Sequence, residues 1–185
     1  SPMNQAIHVD AIRARNIFIT QNEFHGYESS IELYCHGNSY TIEQNNILIN
    51  QNNFYDVQNY AILLLYTYQI VPPSFVKNVE IAYNTIHSGI SGFTYGIWMY
   101  LADKTTITGM NISDNIIEGN MNGIYLNSNG TNSTITFKDF SVKRNTISNS
   151  DYIGIKLDGH SSFAPFPFFL NGEIDSNTVI NCGSD

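Results

Sequence analysis

Apolar and polar residues alternate with a period of two along most of the chain, in short runs that are rich in Ile, Val, Phe and Thr. This alternation is typical of β-strands that bury one face. Helical repeats would need stretches of about ten or more residues with apolar positions at 3.6-residue spacing, and the sequence contains none. The pattern therefore predicts an all-β protein built from short strands.

A single frame of residues recurs six times along the chain. The frame spans eight positions. Apolar residues occupy its first, third and eighth positions, and an asparagine occupies its sixth, as in Ile47, Ile49, Phe54 and Asn52. The last copy departs from the frame, because Gly172 occupies its opening position. The asparagines follow one another at intervals of 30 to 32 residues: Asn22, Asn52, Asn84, Asn115, Asn145 and Asn177. A fixed period of this length indicates stacked structural repeats.

A second phrase lies between these frames and consists of a small residue, Ile, any residue and a large apolar residue. Its six copies begin at Ala6, Ser30, Ala61, Gly96, Gly123 and Gly154. Each repeat is therefore predicted to contribute three short strands, with a tight turn at the asparagine between the second and the third. Repeats of this kind in tandem predict a single-stranded parallel β-helix, a solenoid of about six rungs.

The two phrases together resemble a known class of repeat. Gly123-Ile-Tyr-Leu followed by Phe140-Ser-Val-Lys-Arg-Asn-Thr-Ile is similar to the right-handed parallel β-helix repeats of the pectate-lyase-like superfamily, which includes phage tailspikes. The resemblance covers residues 6–180 and implies a right-handed coil. It implies no single function, because the superfamily contains lyases, hydrolases, epimerases and non-catalytic binding proteins.

The recurring asparagines are expected to form a ladder. Stacked coils place equivalent residues about 4.8 Å apart, and an amide side chain can both donate and accept a hydrogen bond. Asparagine also tolerates the left-handed backbone conformation of a tight turn. We therefore expect these side chains to join one coil to the next rather than to bind a ligand.

The domain is predicted to span residues 6–185 as a fragment of a longer chain, with residues 1–5 disordered or vector-derived. Neither end carries a helix that would cover the open strands, so flanking domains or the other subunits of a homotrimer are expected to cover them. Segment 163–169 contains four Phe and two Pro and cannot form a regular strand. It is expected to pack on the solenoid flank or against a second subunit.

Composition narrows the class of partner. Charged residues make up 13% of the chain, the formal net charge is -8, and the 8 Lys and Arg are scattered. Without a basic stripe nucleic acid is not an expected partner, and no apolar run is long enough for membrane insertion. Cys35 and Cys182 are expected about 24 Å apart and unpaired. The histidines lack metal-ligand spacing, so neither a metal nor another cofactor is expected.

The strands that begin with the second phrase offer the candidate binding surface. In the superfamily that the chain resembles, the glycan-binding groove runs along this sheet. Its alternate positions face outward and form two columns. One is His8, Glu32, Leu63, Trp98, Tyr125 and Lys156, and the other is Asp10, Tyr34, Leu65, Tyr100, Asn127 and Asp158.

An aromatic strip in these columns is the predicted glycan-binding site. It contains Tyr34, Trp98, Tyr100 and Tyr125. Aromatic rings with a polar edge suit the apolar faces and the hydroxyl groups of sugars. Leu63 and Leu65 favour the alternative, in which the strip is buried under loops or against a neighbouring chain.

Three carboxylates are candidate catalytic residues. Asp10 and Glu32 lie on adjacent rungs two positions out of step, roughly 8 Å apart, which is within the range of about 6.5 to 9.5 Å typical of inverting glycoside hydrolases. His8 is expected beside Glu32. The third carboxylate belongs to a second candidate group, Asp151, Asp158 and His160.

The leading hypothesis is recognition of a cell-surface polysaccharide, with or without its depolymerisation, by a domain of a virion tailspike or another extracellular surface protein. A non-catalytic structural or assembly module is the first alternative. A complete catalytic domain, either a polysaccharide hydrolase or a lyase, is the second. The net charge of -8 disfavours uronic-acid polymers as its substrate.

Overall fold

A computed structural model describes residues 5–10, 13–36, 43–67, 74–88, 94–101, 105–130, 136–161 and 169–183. Within these ranges the chain forms eighteen strands and no helix. The strands form three sheets of six, and each strand pairs in parallel with the equivalent strands of the neighbouring repeats. The predicted fold class, an all-β parallel solenoid, is confirmed. We call each repeat a coil, and each coil contributes one strand to every sheet.

The strands are numbered in chain order and belong in turn to sheets A, B and C. Sheet A contains β1 (Gln5–Asp10), β4 (Ser29–His36), β7 (Tyr60–Thr67), β10 (Tyr95–Leu101), β13 (Asn122–Gly130) and β16 (Ile153–Ser161). Sheet B contains β2 (Arg13–Thr20), β5 (Glu43–Asn50), β8 (Ser74–Ala82), β11 (Thr105–Ser113), β14 (Thr136–Lys143) and β17 (Phe169–Asp175). Sheet C contains β3 (Glu23–His25), β6 (Asn53–Tyr55), β9 (Thr85–His87), β12 (Ile116–Glu118), β15 (Thr146–Ser148) and β18 (Thr178–Ile180).

The inward residues of the three sheets form one continuous hydrophobic core. Fully buried members from sheet A are Ile31, Ile62, Ile97 and Ile124, and from sheet C they are Phe54, Ile86, Ile117 and Ile147. Burial of each such side chain contributes about 1.5 to 3 kcal/mol relative to leaving it in water. The alternation in the sequence therefore reports the inward and outward faces of the strands.

The small residue that opens the second phrase is required by close packing between coils. A Cβ atom at Gly96 would lie 2.7 Å from the carbonyl oxygen of Gly123 and 2.7 Å from Cγ2 of Ile117. A Cβ atom at Gly123 would lie 2.6 Å from Cγ2 of Ile147. Real Cβ contacts are not this short, so a larger residue would push sheet A away from sheet C.

The frame asparagines form the predicted ladder. Oδ1 of Asn84 accepts hydrogen bonds from Nδ2 of Asn52 at 3.0 Å and from its backbone N at 3.0 Å. Nδ2 of Asn84 donates to Oδ1 of Asn115 at 2.9 Å and to the backbone carbonyl of Ile49 at 3.0 Å. The Asn-to-Asn bonds recur from Asn22 to Asn177. The Asn84 amide uses both of its donor hydrogens and accepts two hydrogen bonds. Its side chain can therefore be buried, with only 1% of its surface exposed, without leaving a polar atom unpaired.

The left-handed residue of each turn is the one before the ladder asparagine, so the tolerance of asparagine for this conformation is not used at the ladder positions. Its φ is 59° at Gln21, 56° at Gln51, 55° at Tyr83, 58° at Asp114, 53° at Arg144 and 55° at Ser176. The preceding residue reverses the chain, which leaves the asparagine side chain directed into the solenoid where its partners lie. The strain of a non-glycine residue at positive φ is repeated in every coil.

A second column of polar residues, which the repeat frame does not reveal, lies on the outside of sheet B. Its members, all at positive φ, are Asn16, Asn46, Asn78, Gly109, Asp139 and Asn171. Nδ2 of Asn46 donates to Oδ1 of Asn16 at 2.9 Å, and Nδ2 of Asn78 donates to Oδ1 of Asn46 at 3.1 Å. These three side chains are exposed, so water competes for the same hydrogen bonds.

Several sequence-based expectations fall partly or wholly outside the described residues. Residues 1–4, segment 163–168 and the side chain of Cys35 are among them, so the predictions made for them stay predictions. Phe169 stacks on Phe137 with ring centroids 5.1 Å apart. Cys182 is a half-buried free thiol.

We predict that Asn84→Ala lowers the free energy of unfolding by about 3 kcal/mol or more, because the backbone N–H of Asn52 and the carbonyl of Ile49 would remain buried without partners. Urea unfolding followed by circular dichroism measures this change.

Asn46→Gly is the matched control, since it removes an exposed amide and retains a residue suited to a φ of 58°. We expect it to cost no more than about 1 kcal/mol. A loss at Asn84 no larger than the loss at Asn46 would show that the buried ladder does not stabilise the coils.

Candidate functional site

The pairing of sheet A places its outward residues in the register expected from the repeat. His8, Glu32, Leu63, Trp98, Tyr125 and Lys156 are direct neighbours in one column. Asp10, Tyr34, Leu65, Tyr100, Asn127 and Asp158 are neighbours in the next. The register is a structural fact, whereas a role of these residues in binding or catalysis stays a prediction.

An aromatic cluster occupies the middle of this face. The rings of Tyr95 and Trp98 stack with centroids 4.8 Å apart and an interplanar angle of 19°. Trp98 and Tyr125 stack at 6.1 Å and 5°. Tyr60 lies 5.2 Å from Trp98, and Tyr100 contacts Trp98 edge-on at 6.0 Å and 79°. We call these five half-buried side chains the aromatic surface.

Two members of the aromatic surface, Tyr60 and Tyr95, were missed by sequence reasoning. They are direct neighbours in the register, at the position before the small residue that opens the second phrase. The signal was present in the sequence as a tyrosine at this position in two successive repeats. The phrase that predicts the strand begins at the small residue, one position later, and so does not include these tyrosines.

The structure does not bring Tyr34 into the aromatic surface. Leu65 separates it from Tyr100 in the same column, and Leu63 beside them is buried at 4% exposure. The ring of Tyr34 stacks instead with His8, with centroids 6.1 Å apart. Of the four predicted glycan-binding residues, Trp98, Tyr100 and Tyr125 are therefore grouped, and Tyr34 lies two coils away from Tyr100.

Polar groups surround Tyr125 at one end of the aromatic surface. Its hydroxyl donates to Oδ2 of Asp158 at 2.8 Å and accepts from Nδ2 of Asn127 at 2.6 Å. Nζ of Lys156 lies 3.2 Å from Oδ2 of Asp158 and 4.8 Å from the centre of the Tyr125 ring. The charge of Asp158 is thus balanced by a neighbouring cation.

Burial and hydrogen bonding shift the titration of this cluster. Burial, and then the hydrogen bond to Asp158, raises the pKa of Tyr125 above its ordinary value. Burial, followed by the proximity of Tyr95 and Glu32, also raises the pKa of Tyr60. The hydrogen bond to Asp158 raises the pKa of Lys156. At neutral pH the face therefore presents neutral phenols and a charged amine.

The candidate catalytic pair lies at the other end of the face. Glu32 is buried at 6% exposure, accepts a hydrogen bond from Nε2 of Gln5, and lies 3.6 Å from Nδ1 of His8. Asp10 is exposed and is the direct neighbour of Tyr34. His8 is therefore beside Glu32 as expected, while a catalytic role for Asp10 and Glu32 stays a prediction.

The remaining candidates are separated from that pair. Asp158 is in the sixth strand of the sheet and Asp10 in the first, about 24 Å apart at one strand spacing per coil. This distance is too great for the two carboxyl groups to act on one glycosidic bond. Asp151 is exposed in the turn before β16, and the side chain of His160 lies outside the described residues.

The described part of the chain lacks two further features. It contains no group of three or more His, Cys, Asp or Glu side chains that could hold a metal ion. It also contains no helix of the length and apolar character that would cross a membrane.

Comparison with known proteins identifies the class of fold. The family model described as "Right handed beta helix region" matches residues 4–140, which is more than half of the chain. No curated protein matches the chain, and no solved structure does.

We predict that Tyr125 ionises above the pH of about 10 that is usual for tyrosine. Because its folded pKa is raised, the stability contributed by the neutral phenol is present in full below about pH 10 and is lost as the pH rises through the raised pKa. The pH titration of ¹³Cζ-labelled tyrosine by NMR measures the shift, and Tyr125→Phe assigns the signal.

Asp158→Asn is the companion variant, because it retains the shape of the side chain and removes the negative charge. It should move the pKa of Tyr125 back toward the ordinary value without restoring it fully, since burial is the larger cause. A Tyr125 signal that titrates at or below pH 10 in the native protein would contradict the described contacts.

Proposed function

The chain belongs to the right-handed beta helix family, and on that premise we propose that it recognises a cell-surface polysaccharide through the aromatic surface. The observation that carries the proposal is the packing of five aromatic side chains on the outward face of a regular sheet. Such rings are more commonly buried in a core, and together they offer apolar area with phenolic hydroxyl groups at its edge.

The contacts among the rings suit a rigid binding surface. Tyr95, Trp98 and Tyr125 hold one another by stacking, so little side-chain freedom is left to lose when a ligand binds. Tyr125, Asn127 and Asp158 supply hydrogen-bonding groups next to the rings. An apolar floor with a few polar groups is the composition expected of a sugar-binding site.

Charge favours an uncharged glycan at this surface. Lys156 balances Asp158, so the cluster attracts neither anions nor cations strongly. The formal net charge of -8 disfavours polyanionic chains such as uronic-acid polymers. We therefore propose a neutral polysaccharide as the ligand.

Depolymerisation is a separate part of the proposal. Glycoside hydrolysis needs two carboxyl groups on either side of the scissile bond. Asp10 and Glu32 are the pair that we propose for this step, at the end of the face where His8 lies 3.6 Å from Glu32. Asp158, whose carboxylate is paired with Lys156 and Tyr125, is proposed as a binding residue in this scheme.

A polysaccharide of this kind is met outside cells, so we place the protein at an extracellular or virion surface, as a tailspike-like module. A homotrimer or flanking domains would cover the exposed inward side chains of the last coil, where Ile174 is 49% and Val179 is 48% exposed. The rival function is an assembly module. In that case the contact would be made by the half-buried aromatic rings, because the outward-facing Leu63, at 4% exposure, is already covered within this chain.

We predict that Trp98→Ala lowers the affinity for a polysaccharide identified on a glycan array at least tenfold, because it removes the central ring of the stack. Isothermal titration with the purified oligosaccharide measures the change. Phe18→Ala is the matched control, since Phe18 is an exposed aromatic residue at 64% exposure on sheet B.

Phe18→Ala should bind like the native protein. Absence of binding to every glycan, or an equal loss in both variants, would contradict recognition through the aromatic surface. Loss of self-association in Trp98→Ala without any glycan binding would support the assembly module instead.

A further inference from the structure

A second group of aromatic rings lies on the outside of sheet C. His25, Tyr55, His87 and Glu118 are direct neighbours in one outward column. The rings of His25 and Tyr55 stack at 4.8 Å and 18°, and those of Tyr55 and His87 at 5.9 Å and 16°. The side chains of His25, His87 and Glu118 are 62%, 41% and 47% exposed. An ordered row of rings is therefore presented to solvent on a different face from the aromatic surface.

A groove of about 490 Å³ runs beside this row. Its other wall consists of turn residues that follow the sheet C strands: Asp56, Ser88, Gly119 and Asn149. A Cβ atom at Gly119 would lie 2.5 Å from the carbonyl oxygen of Ser88, so successive turns are in close contact and the wall is compact. The volume is within the range of about 300 to 1,000 Å³ that is typical of small-molecule sites.

The charges of the groove differ from those of the aromatic surface. Its described lining contains the carboxylates Asp56 and Glu118, and neither a Lys nor an Arg. Glu118 accepts a hydrogen bond from Nδ2 of Asn149 at 3.3 Å and lies 3.2 Å from Nδ1 of His87. These contacts hold the carboxylate in position in the groove. The described lining therefore contains two carboxylates and no permanently cationic side chain.

We propose that this groove is a second carbohydrate site, which takes a sugar residue bearing a protonated amine. The amine would lie beside Glu118, whose carboxylate would supply a charge-assisted hydrogen bond, and Asp56, about 10 Å away at two coils' distance, would add to the negative potential of the groove. The hydroxyl groups of the sugar would meet Tyr55, Ser88 and Asn149. The site is separate from the aromatic surface. There the amine of Lys156 already lies beside the carboxylate of Asp158, in the position that the amine of the sugar would take in the groove.

The probe pair that tests the groove is a β-1,4-linked glucosamine tetramer and its fully N-acetylated counterpart. The two have the same backbone and differ at the nitrogen, which is a basic amine in one and a neutral acetylated amide in the other. Isothermal titration at neutral pH should show that the native protein binds the free-amine tetramer at least tenfold more tightly. Glu118→Gln, which retains the shape of an exposed side chain, should weaken that binding at least fivefold.

Two control variants separate the groove from other causes. Glu80→Gln removes an exposed carboxylate on sheet B and should leave binding of the free-amine tetramer unchanged. Phe18→Ala removes an exposed ring on sheet B, outside both the groove and the aromatic surface, and should also leave it unchanged. Failure of the proposed function would appear as a lack of binding to neutral glycans. Failure of the groove would appear in the experiments with the two tetramers, so the two outcomes are distinguishable.

Three results would overturn the groove as a site. The first is equal affinity for the two tetramers, and the second is no binding of either. The third is an equal loss in Glu118→Gln and Glu80→Gln, which would show that the tetramer is attracted by the overall negative charge alone.

Discussion

Each coil of the molecule is bound to the next along all three of its strands, and the register of this parallel pairing is the constraint on which the rest of the structure depends. Main-chain hydrogen bonds alone would permit a strand to slip along its neighbour. The buried asparagines oppose such a slip, because each side chain bonds both the side chain and the main chain of an equivalent asparagine in an adjacent coil. Close packing at Gly96 and Gly123 acts in the same direction.

The same register that aligns the core also aligns the outside. On sheet A it brings aromatic side chains from successive coils into one surface whose charged rim is balanced by Lys156 and Asp158. On sheet C it brings His25, Tyr55 and His87 into a row beside a groove, and the part of its lining that the structure describes carries carboxylates and neither lysine nor arginine. Two surfaces with different chemistry, each proposed here as a binding site, thus arise on one scaffold from changes in the outward residues, at positions where the core is not affected.

Much of the fold could be predicted from the sequence, because a repeat reports the same position several times. The three strands per coil, the inward isoleucine columns and the asparagine ladder follow from residue spacing alone. The left-handed residue at Gln51 or Tyr83 could not be found in this way, since these positions share no residue type and only the backbone is constant.

The candidate site was predictable only in part. Trp98 and Tyr125 were placed correctly in one column, because alternation defines which residues face outward. Tyr60 and Tyr95 were missed because they precede the phrase that defined the strand. The bonds among Lys156, Asp158 and Tyr125 depend on side-chain conformation, which spacing does not determine.

The most direct test of the central claim is hydrogen exchange of the asparagine side-chain amides, measured by NMR. We expect the amides of Asn52, Asn84, Asn115 and Asn145 to exchange far more slowly than the exposed amides of Asn46 and Asn78, and equal rates would contradict a buried ladder that fixes the register.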